Sequence, residues 1–479
     1  MIMTGNTGHT RWMWAVATAG GVIMGAGCHV SDILRVPPPE GIVSSSALNG
    51  QSSAEGAFYT AQNQFSSIVA GPDGQVEVSG WLTDEFIANS PAFGYPPAYN
   101  NIDARRTAAF AGWPETGDAA VQAILAGRSE LLLALVPLQQ YETGAGVARI
   151  GEAWALVGYA ELLLAEDYCA GVPLSQEVPG GGFAYGRPLT TDSLLGTAEA
   201  HFDSALAHSG GNDSITALAS VGLGRTLVDR AQYVAAAAAV QSVPPAFAYS
   251  LVGATGGLYG YNSTFYQNIF PNYYGCATFN VADREGTNGL PFVSANDPRL
   301  VLDSTISETC DGVWSGLPDS VFYYPVKFGN PNAPGIPLAT GVEAGLIAAE
   351  GALQGGSGAW LTDLNALRSS VTGLGPLTDP GTDSGRVSLM FSERAFWLFG
   401  TGTRLGDLRR LIRQYSRPAE SVFPTGAYAP GNEPYLAPLF VSPLTTYGTD
   451  VNLTLPTPIS GNLTANPYYK GCITSTTTA

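Results

Sequence analysis

Apolar residues recur at three- and four-residue steps through most of the first half of the chain, the period of a helix with one buried face. Ser53–Ala70 reads as such a helix, closed by the turn Gly71-Pro72-Asp73-Gly74. Asp118–Tyr141 carries Ala120, Ile124, Leu131, Leu132, Leu135 and Leu138 on one stripe, and Val147–Tyr168 repeats it with Ile150, Trp154, Val157, Leu162 and Leu163. Thr190-Thr191-Asp192 offers a side-chain oxygen to the first free amides of the next helix, which runs to about His208 with Leu194, Leu195, Ala198, Phe202, Ala205 and Leu206 inward. Asn212-Asp213-Ser214 starts another, carrying Leu218, Val221, Leu227 and Val228, and Ala231–Gln241 follows at once, ending at Pro244-Pro245.

From 244 to 340 this periodicity vanishes, and aromatics, Gly, Asn and Pro dominate. Loops of that length inside a domain are usually functional. Helices resume at Val342–Leu353, Ala359–Val371, Gly385–Phe399 and Arg404–Tyr415, and the last 60 or so residues read as Pro-, Thr- and Tyr-rich coil. Two antiparallel helices per unit of about 34 residues, with Ala and Gly where helices approach, predict tetratricopeptide-like packing. Ala217, Gly224 and Ala231, seven apart, mark one such seam. The fold class is therefore mainly all-α, a helical repeat scaffold with a large irregular region on one side.

Composition narrows the function. Gly (59) and Pro (33) make about a fifth of the 479 residues, which implies much loop, yet 45% hydrophobic content is too high for a disordered chain. Acids outnumber bases 39 to 21 for a net charge of −18, and only two bases are lysines, Lys327 and Lys470. Such a chain repels phosphates, so no nucleic-acid partner is expected. The apolar stretch that approaches membrane length stands at the N-terminus, which excludes a polytopic membrane protein.

That stretch reads as an address. Arg11 precedes apolar or small residues from Trp12 to Ala26, and Gly25-Ala26-Gly27 leads into Cys28. This is the layout of a secretory signal and resembles a bacterial lipobox, in which the cysteine is acylated; Gly25 stands where that motif usually has Leu. Residues 1–27 are then a lipoprotein signal peptide, 28–50 a lipid-anchored tether and 51–479 a single domain. His29, rather than Asp, follows the cysteine and argues against retention at the inner membrane. With Cys28 lipidated, four cysteines remain, an even number in an exported chain, and four allow three pairings. The expected disulfides are Cys276–Cys310, bracketing the irregular region, and Cys169–Cys472, pinning the tail to the end of the second long helix.

Six segments in order resemble the SusD/RagB family of outer-membrane nutrient-binding lipoproteins. After Cys28 come Ala160-Glu161-Leu162-Leu163 running to Asp167-Tyr168-Cys169-Ala170-Gly171-Val172-Pro173-Leu174, then Asn296-Asp297-Pro298-Arg299. Glu343 to Glu350 leads to Leu364-Asn365-Ala366-Leu367-Arg368, and Glu393-Arg394-Ala395-Phe396-Trp397 leads to Arg404-Leu405-Gly406-Asp407-Leu408-Arg409-Arg410. The chain closes on Asn466-Pro467-Tyr468-Tyr469. The resemblance implies about eight helices in four tetratricopeptide-like pairs, irregular ligand-binding loops at about 244–340 and a C-terminal coil at 416–479. It implies a cell-surface lipoprotein that captures a glycan and delivers it to a SusC-like TonB-dependent transporter, without catalysis. A peptide-capturing member of the same family is the alternative, and a secreted glycan-active enzyme on a helical scaffold a more distant one.

The charges in these segments read as structural: Glu343, Glu350, Arg368, Glu393, Arg394, Arg404 and Asp407 belong to ion-paired networks between helices, because buried carboxylates need partners. Asp297-Pro298-Arg299 reads as a turn with flanking charges. His201 and His208, seven apart, read as surface residues. No nucleophile elbow, zincin or phosphate-loop motif is present, and no cofactor or metal is expected. Two aromatic-rich, polar-flanked stretches suit sugar binding, since ring faces receive C–H groups while Asn, Gln and Arg bond hydroxyls. One runs from Trp81 to Trp113 and the other from Tyr259 to Tyr274. Trp81, Tyr95, Tyr99, Tyr261, Tyr266 and Tyr273 are the candidate contacts.

Overall fold

The computed structural model describes residues 50–71, 74–88, 98–107, 117–178, 181–251, 279–307, 320–327, 335–428, 444–456 and 465–473. In chain order the helices are α1 (Gln51–Ala70), α2 (Gln75–Trp81), α3 (Ala98–Asp103), α4 (Gly117–Tyr141), α5 (Val147–Asp167), α6 (Thr191–Ala207), α7 (Asp213–Asp229), α8 (Tyr233–Val240), α9 (Gly341–Gln354), α10 (Ala359–Ser369), α11 (Asp383–Trp397) and α12 (Arg404–Arg413). α1 packs on α4, α5 on α6, α7 on α8 and α9 on α10, while α4 also packs on α5, and α7 on α5, α6 and α9. That is four antiparallel pairs stacked in a row, the tetratricopeptide-like arrangement.

α5 shows why the stack holds. Its residues from Ala155 to Asp167 are buried all round, because α1, α4, α6, α7 and α12 surround it. A helix apolar on every side belongs in the middle of a core. Small residues set the spacing: a Cβ on Gly222 of α7 would lie 2.2 Å from the Phe202 ring, and one on Gly158 of α5 would lie 2.9 Å from it. Phe202 of α6 thus fills the notch two glycines leave. Gly224 likewise abuts Val240 and Ile347, whereas Ala231, last of the seven-residue series, ends α7 with φ of 56° rather than packing a helix face. Helix starts follow the capping residues. Thr190, Asn212, Thr340 and Thr382 each accept a bond from a backbone amide of the first turn, each contributing about 1 kcal/mol.

α4 is long and apolar enough to cross a membrane by length and composition, so the N-terminal stretch does not stand alone in that respect. α4 packs between α1 and α5, which accounts for its apolar stripe. The short α2 has no helical period of its own in the sequence; all seven of its residues are buried.

Among the described residues short strands lie between the helices, five of the ten within the region read as irregular. They are β1 (Phe86–Ala88), β2 (Val172–Pro173), β3 (Gln176–Glu177), β4 (Phe183–Ala184), β5 (Pro188–Leu189), β6 (Ala248–Leu251), β7 (Phe279–Val281), β8 (Leu302–Ser307), β9 (Ser320–Pro325) and β10 (Ile336–Thr340). β1 pairs β7, β6 pairs β10, β8 pairs β9, β2 pairs β5 and β3 pairs β4, all antiparallel. A two-stranded ribbon is marginal alone, and β1 leans on α2 and α3, β6 on α1, β10 on α7 and β3 on α4. Polar strands such as Leu302-Asp303-Ser304-Thr305-Ile306-Ser307 lack the alternation that reveals a strand in sequence. Among the described residues after Arg413 there is no further α-helix or strand, only a 3-10 turn at Ala419–Ser421 and isolated bridges.

The tail is tied to the end of α5. Cys169 and Cys472 form a disulfide with Cα atoms 5.6 Å apart. Around it the Cys169 amide donates to the Leu453 carbonyl (3.1 Å), Leu453 to Asp167 (2.8 Å) and Ile473 to Ala170 (2.8 Å). Cys28, Cys276 and Cys310 lie outside the described residues.

Candidate functional site

The two aromatic-rich stretches spring from one place. The first leaves β1 after Ala88, and the second enters β7 before Phe279; Ala88 and Phe279 are register partners. The other end of the second stretch leaves β6 at Leu251, which pairs with Ile336. Both stretches are therefore rooted in short ladders at the loop side of the scaffold. Tyr95, Tyr261, Tyr266 and Tyr273 lie outside the described residues, and Tyr99 sits on α3.

Trp81 is a correction. It is 0% exposed at the end of α2 and packs in the core, as a large ring on a wholly buried helix must, so it has no face to offer a ligand. His201 is a second correction: its Nδ1 lies 2.7 Å from Glu161 Oε2 and its ring stacks on Trp154 at 5.0 Å. It is half-buried as a partner of a buried carboxylate, which Arg128 Nε also bonds at 2.7 Å.

Next to the β1–β7 ladder lies a buried polar layer of which sequence reasoning named only Arg404 as ion-paired. Arg404 Nε and Nη2 donate to the two oxygens of Asp84 (2.7 and 3.0 Å), and Asp84 Oδ2 also accepts from the Leu290 amide (2.9 Å). Glu85 Oε1 accepts from the Gly400 amide at 3.0 Å, while the Glu85 carbonyl accepts from Ala282 at 2.9 Å. Lys327 Nζ donates to the Phe399 carbonyl at 3.2 Å. These bonds clamp the segment before β1 and the segment after β7 to the α11–α12 turn. Further along, Tyr428 donates to Asp103 (2.8 Å) and Tyr447 to Glu285 (2.8 Å), with the two rings edge to face at 5.1 Å. Arg105 forks onto Glu420 (3.0 and 3.2 Å) and the Pro424 carbonyl (2.9 Å). The buried acids of this layer, Asp84, Glu85, Asp103 and Glu285, lie scattered over some 200 positions, so no local spacing announced them.

The electrostatics mark the layer as dry. Burial pushes the Glu85 carboxyl up to about 8, although the Gly400 amide and the Arg404 charge pull it down. Burial lowers Lys327 to about 8. The Glu285 carboxyl is raised well above its ordinary value, by burial first and then by the Asp103 carboxylate. Because Glu85 is protonated more readily folded than unfolded, its contribution is full below about pH 4.5 and is lost as pH rises towards 8. Glu85→Gln keeps the acceptor for Gly400 and cannot ionise. Between pH 5.5 and 7.5 the wild type is expected to lose about 2 kcal/mol more stability than this variant. Urea unfolding at both pH values checks it, and equal losses would refute the assignment.

The seven charges read as structural are so placed. Arg394 meets Asp407 (2.8 Å), Arg368 meets Glu393 (2.7 Å), and Glu393 also receives Arg299 (2.7 Å), which folds back on Asp297 (2.7 Å). Arg410 bonds Glu350 and Asp407, and Arg225 bonds Glu166 with Glu343 at 3.8 Å. Among the described residues no group of three or more His, Cys, Asp or Glu side chains is arranged to hold a metal ion.

No protein-family model matches the chain, and no curated protein matches it. Solved structures do. A surface glycan-binding protein A from Bacteroides uniformis superposes with a TM-score of 0.61 at 14% identity, over 88% of this chain and 99% of its own. B. fragilis NanU gives 0.60 at 13%, over 91% and 99%. A SusD-like carbohydrate binding protein from Bacteroides vulgatus gives 0.56 at 16%, over 89% and 94%. The chain has the SusD-like fold. At such low identity, side-chain contacts do not transfer between SusD-like proteins, and what this chain shares with them is the fold.

Proposed function

We propose that this protein is a non-catalytic capture protein for a neutral oligosaccharide, anchored at the outer membrane through Cys28 and delivering its ligand to a SusC-like TonB-dependent transporter. The supporting observation is the Ala88–Phe279 pairing, which roots both aromatic-rich stretches at one end of one ladder on a SusD-like fold. Relatives in fold named for glycan or carbohydrate binding favour sugar over peptide. The net charge of −18 disfavours anionic ligands. In this reading residues 1–27 are the signal, 28–50 the tether and 51–479 the binding domain.

Capture for transport needs reversible binding. Each stacked ring contributes about 1 kcal/mol, so several give roughly micromolar to millimolar affinity. A glycosidase would need two carboxylates reaching a substrate. Asp103 and Glu285 are 0% and 4% exposed and each takes a tyrosine hydroxyl, which makes them part of the buried layer and not an acid–base pair.

The test is a glycan and peptide array with mature protein, followed by paired alanine variants at Tyr95 with Tyr99, and at Tyr261, Tyr266 and Tyr273. Affinity for the selected glycan is expected to fall about tenfold with an unchanged melting temperature, and Cys28→Ala should move the protein to the soluble periplasmic fraction. Turnover of a glycan, or selection of peptides alone, would overturn the reading.

A further inference from the structure

A further aromatic surface lies on the β3–β4 hairpin, in the segment that follows Cys169 of the disulfide. Gly181 and Gly182, both with φ of +97°, make the turn that a Cβ-bearing residue would strain. Phe183 and Tyr185 then project from the same side of the returning strand, two residues apart. Their rings lie 6.3 Å apart and within 18° of parallel, and they are 46% and 38% exposed. Glu177 is the register partner of Phe183, which puts its carboxylate on the same face. On the other side, the Arg187 guanidinium lies 4.4 Å from the ring centre of Tyr468, itself 40% exposed. Asn466 binds the two pieces together, donating to the Gly186 carbonyl at 2.8 Å and to Ser175 Oγ at 3.1 Å.

The surface is built, not incidental. The Glu177 amide donates to Ser129 Oγ on α4 (2.9 Å), the Gly186 amide donates to Ser175 Oγ (3.2 Å), and the Cys169–Cys472 bridge fixes both flanking segments. Three exposed rings in so low-charge a chain favour association with something that prefers ring faces to water. Five side chains fall short of the roughly 800 Å² per side that a stable protein partner covers. Two near-parallel rings, with a carboxylate across the ladder at Glu177 and a guanidinium set on a third exposed ring at Tyr468, suit instead a sugar chain: C–H faces on the rings, hydroxyls donating to Glu177 and accepting from Arg187. Holding these groups in place beforehand lowers the entropy cost of binding.

We propose that the face formed by Phe183, Tyr185, Arg187, Tyr468 and Glu177 is a second oligosaccharide-binding surface, separate from the stretches rooted at the β1–β7 ladder. It rests on the sugar-capture reading and extends it: one chain would hold a long glycan at two points.

Isothermal titration with maltoheptaose, cellohexaose, xylohexaose and laminarihexaose tests it. For whichever sugar binds, the wild type is expected to show two sites per chain. The double variant F183A/Y185A should lose one of them, with apparent affinity for the long sugar falling about tenfold. Tyr59→Ala, an exposed ring on α1, should change neither. All three side chains are exposed, so folding is retained, and unchanged melting temperatures check this. If the wild type binds and F183A/Y185A gives the same isotherm, the hairpin surface is refuted while sugar capture stands. If the wild type binds none of the four, both fall.

Discussion

Replacing Arg410 by Met is expected to destabilise the protein by about 4 kcal/mol or more. This side chain is 1% exposed, yet it serves three carboxylates: Glu350 through both terminal nitrogens (2.6 and 3.0 Å), Asp407 at 2.9 Å and Asp229 at 3.4 Å. They come from α9, α12 and α7, so one guanidinium joins three layers of the stack. Burial alone would raise the Asp407 carboxyl; Arg394 and Arg410 overcome it and hold it down at about 2. Asp407 therefore contributes stability above about pH 4 that is lost as pH falls towards 2. Methionine fills the volume and leaves the carboxylates without their main counter-charge. Glu350→Met added to Arg410→Met should recover part of the loss, because removing both ends of a buried pair costs less than removing one. Guanidinium unfolding of the three proteins measures all of this. A loss under 1 kcal/mol, or no recovery in the double variant, would contradict the network as described.

Cys472→Ser is expected to cost about 2–5 kcal/mol, the range for a native disulfide in an exported protein. The bridge spans 303 residues, and in the chain-entropy account the constraint on the unfolded chain grows with that length. The loss should be matched by reducing the wild type, and the reductant should do nothing further to the variant. Beyond global stability, the variant should loosen the tail first. Proteolysis after Lys470 or near Leu453 should speed up more than cleavage within the helices, because beside the bridge the tail is held by single backbone bonds such as Ile473–Ala170 and Leu453–Asp167 and not by a helical ladder. Scanning calorimetry with and without reductant, together with limited proteolysis, checks both. An unchanged melting temperature under reduction would contradict it.

The helices were legible because their signals are local. Stripes such as Ile124, Leu131, Leu135 and Leu138 repeat within a few turns, and caps such as Thr190 and Asn212 act on amides two or three residues away. The structural role of Glu350, Glu393, Arg394 and Asp407 was also legible, since a chain with 13% charged residues that gathers charges on apolar helices has to neutralise them inside. Trp81 was misread for the converse reason: α2 is too short for its own periodicity to show that every side is covered.

The sequence by itself determined the repeat of paired helices, the place where that repeat breaks, and the tail cysteine that meets the end of α5. Each follows from local periodicity, from composition, or from a residue type with few uses. Only the tertiary structure decided that Asp84, Glu85, Asp103, Glu285 and Arg404 make one dry layer, that Ala88 and Phe279 stand side by side, and that Tyr468 comes up against Arg187. Those are meetings of residues from about 190 to 320 positions apart. They depend on how the stack closes, and no spacing within one segment encodes them.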